Sequence, residues 1–303
     1  MSFEITILGC GSASPTSIRN PSSQFLFVQD LYLLIDCGEG TQIQLRRHKI
    51  RMQKIQHIFI SHLHGDHYFG LPGLLSTFHL LGRESELHIY APPELKTLLD
   101  SLFKASKTYL KYPLHYHSLN FDIPELIFQN NKLEIHSFPM RHSIEVCGFR
   151  VSEKPKLRKI NRTAVDAFGV PHYFRNSLKE GADFTSADGQ VVLNAKLTFD
   201  PDASKSYAYC SDTSYFPEIC KMIKGVDLLY HEATFSNDME KLAYKTKHST
   251  AEQAAIIAQK AQVKNLILGH FSARYTDHDL LLKEAQMVFK NSQAAVDGLK
   301  IIL

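Results

Sequence analysis

The chain has 303 residues, 44% hydrophobic and 21% charged, enough to bury one large core or two small ones. Its formal charge of +3, from 34 basic and 31 acidic residues, excludes a polyanion-binding character spread over the whole molecule, so any nucleic-acid contact must rest on local charge. There is no apolar run of about 18 residues, no basic-then-apolar leader in "MSFEITILGCGSASP", and no CxxC pair among cysteines 10, 37, 147, 210 and 220. The expectation is a cytoplasmic protein with no membrane association, no disulfide framework and no thiolate zinc site.

The opening alternates short strands with turns, "FEITILG", "SSQFLFVQ" and "LYLLIDCGEG", the last carrying Asp36 and two glycines. The pattern continues with the strand "HIFIS", a helix in "GLPGLLSTFHLLGR" that Gly82 terminates, the strand "ELHIYA", a helix opened by the prolines of "PPELKTLLDSLFKAS", and the strand "KLEIHSFPM". Residues 152–195 break this rhythm with basic residues, glycines and prolines, and read as an inserted arm or loop. The strands "SYAYCSD" and "DLLYHEAT" follow, then a helix in "STAEQAAIIAQKAQ" where Ser249 and Glu252 have capping-box spacing, the strand "NLILGH", and a last helix over "DHDLLLKEAQMVFKNSQ". Without a fixed-period repeat, this alternation predicts one layered α/β domain over 1–303, with helices outside the sheets.

Each of four apolar strands delivers metal-ligating side chains just past its C-terminal end. "HIFIS" is followed by His62, His64, Asp66 and His67, "EIHSFPM" by His142, "YAYCS" by Asp212 and "LILG" by His270. In layered α/β sheets that edge is where catalytic groups gather. Seven nitrogen and oxygen donors exceed the four of one tetrahedral zinc, so two metals fit the count, with Asp212 placed to serve both. Gly65 inside the cluster suits a tight turn aiming His64 and Asp66 at one point.

HxHxDH with later His, Asp and His resembles the metallo-β-lactamase superfamily, over nearly the whole chain. More narrowly, "LGCGSASPTSIRNPSS", "IDCGEGTQIQLRR", "ISHLHGDHYFGLPGLL", "HEATF", "HST" and "LGHFSARY" in this order resemble the ribonuclease Z family of tRNA 3′-processing endonucleases. The resemblance implies a four-layer αβ/βα sandwich and two zinc ions, one held by His62, His64, His142 and Asp212, the other by Asp66, His67, Asp212 and His270. It implies that Asp66 also orients or deprotonates the attacking water and that His248, assisted by Glu232, protonates the leaving oxygen. Histidine and carboxylate donors also accept manganese or iron. Asp36 reads as support for the ligands and His231 as packing.

From Arg150 to Lys179 eight basic residues face only two acidic ones, Glu153 and Asp166. The resemblance implies that this insertion is an arm gripping precursor tRNA, with Lys154, Lys156, Arg158, Lys159 and Arg162 on phosphates, and that the protein is a homodimer in which one subunit's arm serves the other's site. Arg274 in "GHFSARY" is a further phosphate-contact candidate. The expected activity is endonucleolytic removal of the 3′ trailer after the discriminator base, leaving a 3′-hydroxyl on the tRNA. The alternatives are a small-molecule phosphodiesterase or thioesterase of the same fold, which would not need the arm, and a non-catalytic RNA-binding protein with a residual metal site.

Overall fold

In the computed structural model, which describes residues 3–303, strands form where the apolar alternation predicts them. Strands β1 (Phe3–Gly9), β2 (Ser23–Val28) and β3 (Leu31–Cys37) make an antiparallel meander. Helix α1 (Thr41–Arg47) leads to β4 (Ile55–Phe59), helices α2 (Gly65–Tyr68) and α3 (Leu71–Leu80) to β5 (Leu87–Ala91), and α4 (Glu94–Ala105) to β6 (Leu114–Ser118), each strand added parallel to the one before. Strands β7 (Glu125–Gln129), β8 (Leu133–Pro139) and β9 (Cys147–Glu153) begin a second sheet.

The insertion follows with β10 (Lys159–Ile160), α5 (Arg162–Ala167), α6 (Arg175–Lys179), β11 (Phe184–Thr185), β12 (Val191–Val192), α7 (Asn194–Leu197) and β13 (Thr198–Phe199). The chain then returns as β14 (Ser206–Cys210), β15 (Leu228–Glu232), α8 (Glu240–Thr246), α9 (Ala251–Lys260), β16 (Asn265–Gly269), α10 (Asp279–Val288), β17 (Ser292–Ala294) and β18 (Lys300–Ile302). Two seven-stranded sheets result, ordered β18-β1-β2-β3-β4-β5-β6 and β17-β16-β15-β14-β9-β8-β7.

Side-chain alternation sorts the core into layers. Ile5, Ile7, Leu33, Ile35 and Phe59 pack in one cluster with Phe138, Phe149 and Tyr209 of the second sheet. Phe25, Leu34, Ile58 and Ile89 face the other way, onto Leu74, Leu75 and Phe78 of α3 and Leu95 and Leu99 of α4. On the second sheet α9 presents Ala254, Ala255 and Ala258, small enough for close approach to β15 and β16. Helices thus cover the outer face of each sheet, a four-layer αβ/βα sandwich as the resemblance implied. Among the described residues no helix is long and apolar enough to cross a membrane.

Residues 153–204 form a second compact unit. It is more than a loop, because Val165, Val170, Leu178, Phe184, Val192 and Leu197 make a small core of their own. It runs past residue 195 because β13 pairs antiparallel with β10, bringing the end of the insertion back to its start.

Three local readings need correction. The cap of α9 is Thr250 with Gln253, one residue on from the Ser249–Glu252 pair, because Ser249 Oγ instead donates to the Thr213 carbonyl at 2.7 Å. The last helix ends at Val288, and "SQA" becomes β17 beside β16. Gly65 opens α2 without a positive φ; its value is space, since a Cβ there would lie 2.3 Å from the Phe69 ring.

Candidate metal centre

Strand ends bring together nine of the predicted side chains of the main unit, all but Arg274. Beyond β4 come His62 and His64, the latter with extended backbone, and their rings meet on one side of the chain. The single turn of α2 then carries Asp66 and His67. Two residues beyond β14 comes Asp212, and just beyond β16 comes His270, held in the left-handed region at φ +57°. Asp36, within β3, has φ +54°, and such positive-φ positions in non-glycine residues persist only where surrounding structure enforces them. Gly38 supplies close approach, since a Cβ there would come within 2.4 Å of the Asp66 carbonyl oxygen.

The donors sort into two groups, His62, His64, His142, Asp212 and Asp66, His67, Asp212, His270. In the second, His67 Nε2 and His270 Nε2 stand 3.4 and 3.3 Å from Asp66 Oδ2, 3.3 and 3.0 Å from Asp212 Oδ1, and 3.4 Å from each other. In the first, His64 Nδ1 lies 3.1 Å from both His62 Nε2 and His142 Nε2, which lie 3.6 and 3.7 Å from Asp212 Oδ2. Ligands around one tetrahedral zinc stand about 3.3–3.6 Å apart, given bonds of about 2.0–2.2 Å. The separations in both groups, 3.0 to 3.7 Å, bracket that spacing, and Asp212 gives one oxygen to each.

Hydrogen bonds outside the cluster decide which nitrogen each ring presents. His67 Nδ1 donates to Asp36 Oδ2 at 2.8 Å and His142 Nδ1 to the Lys247 carbonyl at 2.8 Å. Ser61 Oγ donates to Asp36 at 2.9 Å and so accepts from His62 Nδ1 at 3.0 Å. Thr234 Oγ1 donates to Glu232 at 2.7 Å and accepts from His270 Nδ1 at 3.0 Å. The Nε2 atoms of His62, His67, His142 and His270 and Nδ1 of His64 are therefore turned inward, an arrangement held together only by cations among them, protons or metal. Burial lowers the pKa of His62, His64 and His142, which keeps those rings neutral. Burial would raise the carboxyls of Asp66 and Asp212, but the charges of His67 and His270 beside them keep both far below the ordinary carboxylate range; in turn Asp212, Asp66 and Asp36 overcome burial and hold the His67 ring well above the usual imidazole range. Buried Asp212 Oδ1 makes no hydrogen bond. Three neutral imidazoles, two ionised carboxylates, an orphaned buried oxygen and a His67 ring whose Nε2 proton a cation would replace fit divalent metal.

Asp36 also accepts from Ser61 N at 2.8 Å and Tyr209 Oη at 2.7 Å, so its carboxylate is fully engaged in orienting His62 and His67. Asp36→Ala should weaken metal affinity about 10- to 100-fold while leaving all seven donors in the chain, measured by competition with a chromophoric chelator.

His248 and Glu232 form a second pair beside these donors. Helix α8 is capped by Lys247 at φ +61°, the same residue whose carbonyl holds His142, and the turn places His248 in the cleft wall. His248 Nδ1 donates to Glu232 Oε1 at 2.9 Å, leaving Nε2 for the cleft. Fully buried Glu232 also accepts from Thr213 N, Thr234 N and Thr234 Oγ1. Burial acts to lower the His248 pKa, but the Glu232 charge and hydrogen bond outweigh it and hold it at about 9. The cleft, about 560 Å³, is lined by Ser12 to Pro15, His64, Asp66, His142, Asp212, His248 and His270. His231 is buried within β15, its Nδ1 bonded to the Glu232 carbonyl, in keeping with packing.

The remaining candidates lie elsewhere. Arg274 is exposed, with Nε on Ser272 Oγ at 3.1 Å and its guanidinium 5.2 Å from the Phe235 ring. Lys154, Lys156, Arg158, Lys159 and Arg162 belong to the second unit, where the apparent basic excess shrinks to eight basic against seven acidic residues over 153–204. Asp200 and Asp202, distant in sequence, pair with Arg158 and Lys159 at 2.5 and 2.7 Å, and Lys156 pairs with Glu153 at 2.7 Å. Arg158, Lys159 and Arg162 nevertheless share a cleft of about 670 Å³ with Arg175, Lys179 and Tyr173, with no carboxylate in its lining, whereas Lys154 and Lys156 do not line it. Sequence reading missed Thr234, Ser61 and the Ala13 N–H, which donates to Asp66 Oδ2 at 2.8 Å. The two hydroxyls adjoin recognised motif residues and were open to notice; the amide carries no sequence signal.

A Beta-lactamase superfamily domain model matches residues 32–271. Ribonuclease Z of Bacteroides fragilis is 46% identical over 301 residues, covering 99% of each chain, and ribonuclease Z of Porphyromonas gingivalis is 42% identical over 301 residues with the same coverage. Among solved structures, human tRNase Z, short form, superposes with a TM-score of 0.72 over 98% of each chain at 27% identity.

Proposed function

The chain belongs to the ribonuclease Z family of the β-lactamase superfamily, and from that membership we infer that it is an endoribonuclease removing the 3′ trailer of precursor tRNA, cutting after the discriminator base to leave a 3′-hydroxyl. The observation that carries the mechanism is the pair of donor groups sharing Asp212, one oxygen each, beside a buried His–Glu pair.

Two zinc ions per subunit suit these groups, held by His62, His64, His142 and Asp212 and by Asp66, His67, Asp212 and His270; manganese or iron would suit the same atoms. When bound, such a pair makes water nucleophilic at neutral pH and offsets charge developing at phosphorus. Asp66, anchored by the Ala13 amide, orients the attacking water. Beside the donors His248, protonated and fixed through Nδ1, gives its Nε2 proton to the departing 3′-oxygen, and Glu232 stabilises the charged ring until transfer. The cleft accepts a nucleotide at its mouth, with the loop Ser12 to Pro15 as one wall. The homodimer and the cytoplasmic setting belong to this proposal as well, one subunit's insertion holding the tRNA body for its partner's site.

In the insertion, the carboxylate-free cleft supports tRNA phosphate binding better than net charge does. Arg162 and Lys179 have no ion-pair partner among the described residues. Arg162→Glu with Lys179→Glu should weaken precursor binding and reduce the slope of log affinity against log salt by about 2, without changing hydrolysis of a small phosphodiester such as bis(p-nitrophenyl) phosphate. Unaltered tRNA affinity and salt slope would remove the insertion from substrate binding.

A further inference from the structure

A second histidine cluster lies at the opposite end of the first sheet. The centre described above follows the C-terminal end of β4, whereas Glu86 precedes β5 and His88 and His115 are the second residues of the parallel strands β5 and β6. His57, His88 and His115 are cross-strand neighbours in register, so their side chains form one row, with His117 next along β6. From the register and chemistry of this row we propose a divalent transition-metal site built from Glu86, His88 and His115, separate from the catalytic centre.

The Glu86 carboxylate reaches both rings, Oε1 at 3.6 Å from His88 Nε2 and Oε2 at 3.3 Å from His115 Nε2. All three donors lie within 4.8 Å of one another. The two carboxylate–imidazole distances are those expected of ligands sharing one tetrahedral ion, and the exposed Glu86 and His115 side chains are free to close the remainder. His117 Nε2 lies 3.0 Å from His88 Nδ1, so a neutral His88 donating there keeps its Nε2 lone pair towards Glu86, the positioning that ligand imidazoles require. The ring of His57, over nine-tenths buried, stacks on His88 at 5.1 Å and backs it from the sheet interior. Two imidazoles and one carboxylate select zinc or a neighbouring late transition ion over magnesium or calcium, which favour all-oxygen shells. Two of the three donors are exposed, so water completes the shell and the ion exchanges readily with solution. Since β6 ends its sheet, bound metal would tie the edge strand to β5.

The test uses holoprotein whose catalytic metal has been loaded and whose excess has been removed. Equilibrium dialysis against Zn²⁺ should reveal one additional equivalent per chain in the wild type. His115→Ala and Glu86→Gln, both changed at exposed positions, should each abolish that equivalent, and His117→Ala should weaken it about 10- to 100-fold, with the catalytic equivalents and precursor cleavage unchanged in all three. No additional equivalent in the wild type, or one surviving both His115→Ala and Glu86→Gln, would overturn the site and leave Glu86 as an ion-pair partner of protonated histidines.

Discussion

Asp212→Asn is expected to reduce precursor tRNA cleavage about a thousandfold or more. The substitution keeps the shape and removes the charge that serves both donor groups. Oδ2 stands 3.6 and 3.7 Å from His62 and His142, and Oδ1 3.3 and 3.0 Å from His67 and His270, so no other side chain replaces it. An amide presents one weak acceptor and one donor, and its NH₂ would be aimed at imidazole lone pairs or at a cation. Losing shared metal chemistry costs about 4 kcal/mol of transition-state stabilisation, equivalent to about a thousandfold in rate. Bound metal should fall below two per chain in the same preparation. A variant with full metal content and near wild-type turnover would place the shared ligand elsewhere.

His248→Ala is expected to lower the single-turnover rate about 100- to 10,000-fold with metal content unchanged, because proton delivery to the leaving oxygen is lost. The distinguishing readout is pH. The acid form of His248 is the active one and its pKa is held up at about 9, so wild-type cleavage should decline as pH rises through that value. The variant should lose that alkaline limb. Glu232→Gln, which removes the charge holding the ring protonated, should move the decline to lower pH. A substrate with a leaving group that needs no proton, such as a p-nitrophenyl ester, should be hydrolysed nearly as well by His248→Ala as by the wild type. An equal loss on both substrates would make His248 a structural residue.

The donors were legible because each follows an apolar strand, and an ionisable residue just past a buried strand is expensive without a purpose. Strands β6 and β7 were not read, since "LHYHS" and "ELIFQ" are largely solvent-exposed and lack a clean alternation. The orienting shell was half legible. Asp36 stands out as a buried acid in a strand, whereas the Lys247 carbonyl and the Ala13 amide are backbone groups whose placement only folding determines. The insertion read as irregular because its core residues, from Val165 to Leu197, are scattered without helical or strand period. Its charge was overread for a related reason: Asp200 and Asp202 pair with Arg158 and Lys159 across some forty residues of sequence, beyond any local window.

End mapping of the products from a precursor tRNA with a 3′ trailer bears most directly on the assigned reaction. A single cut after the discriminator base should appear, with a 3′-hydroxyl on the tRNA and a 5′-phosphate on the trailer, present with wild-type protein and lost with Asp212→Asn. Intact precursor, alongside hydrolysis of a small phosphodiester that is equally fast in the wild type and in Arg162→Glu/Lys179→Glu, would retain the fold and the metal centre but contradict the tRNA-processing assignment.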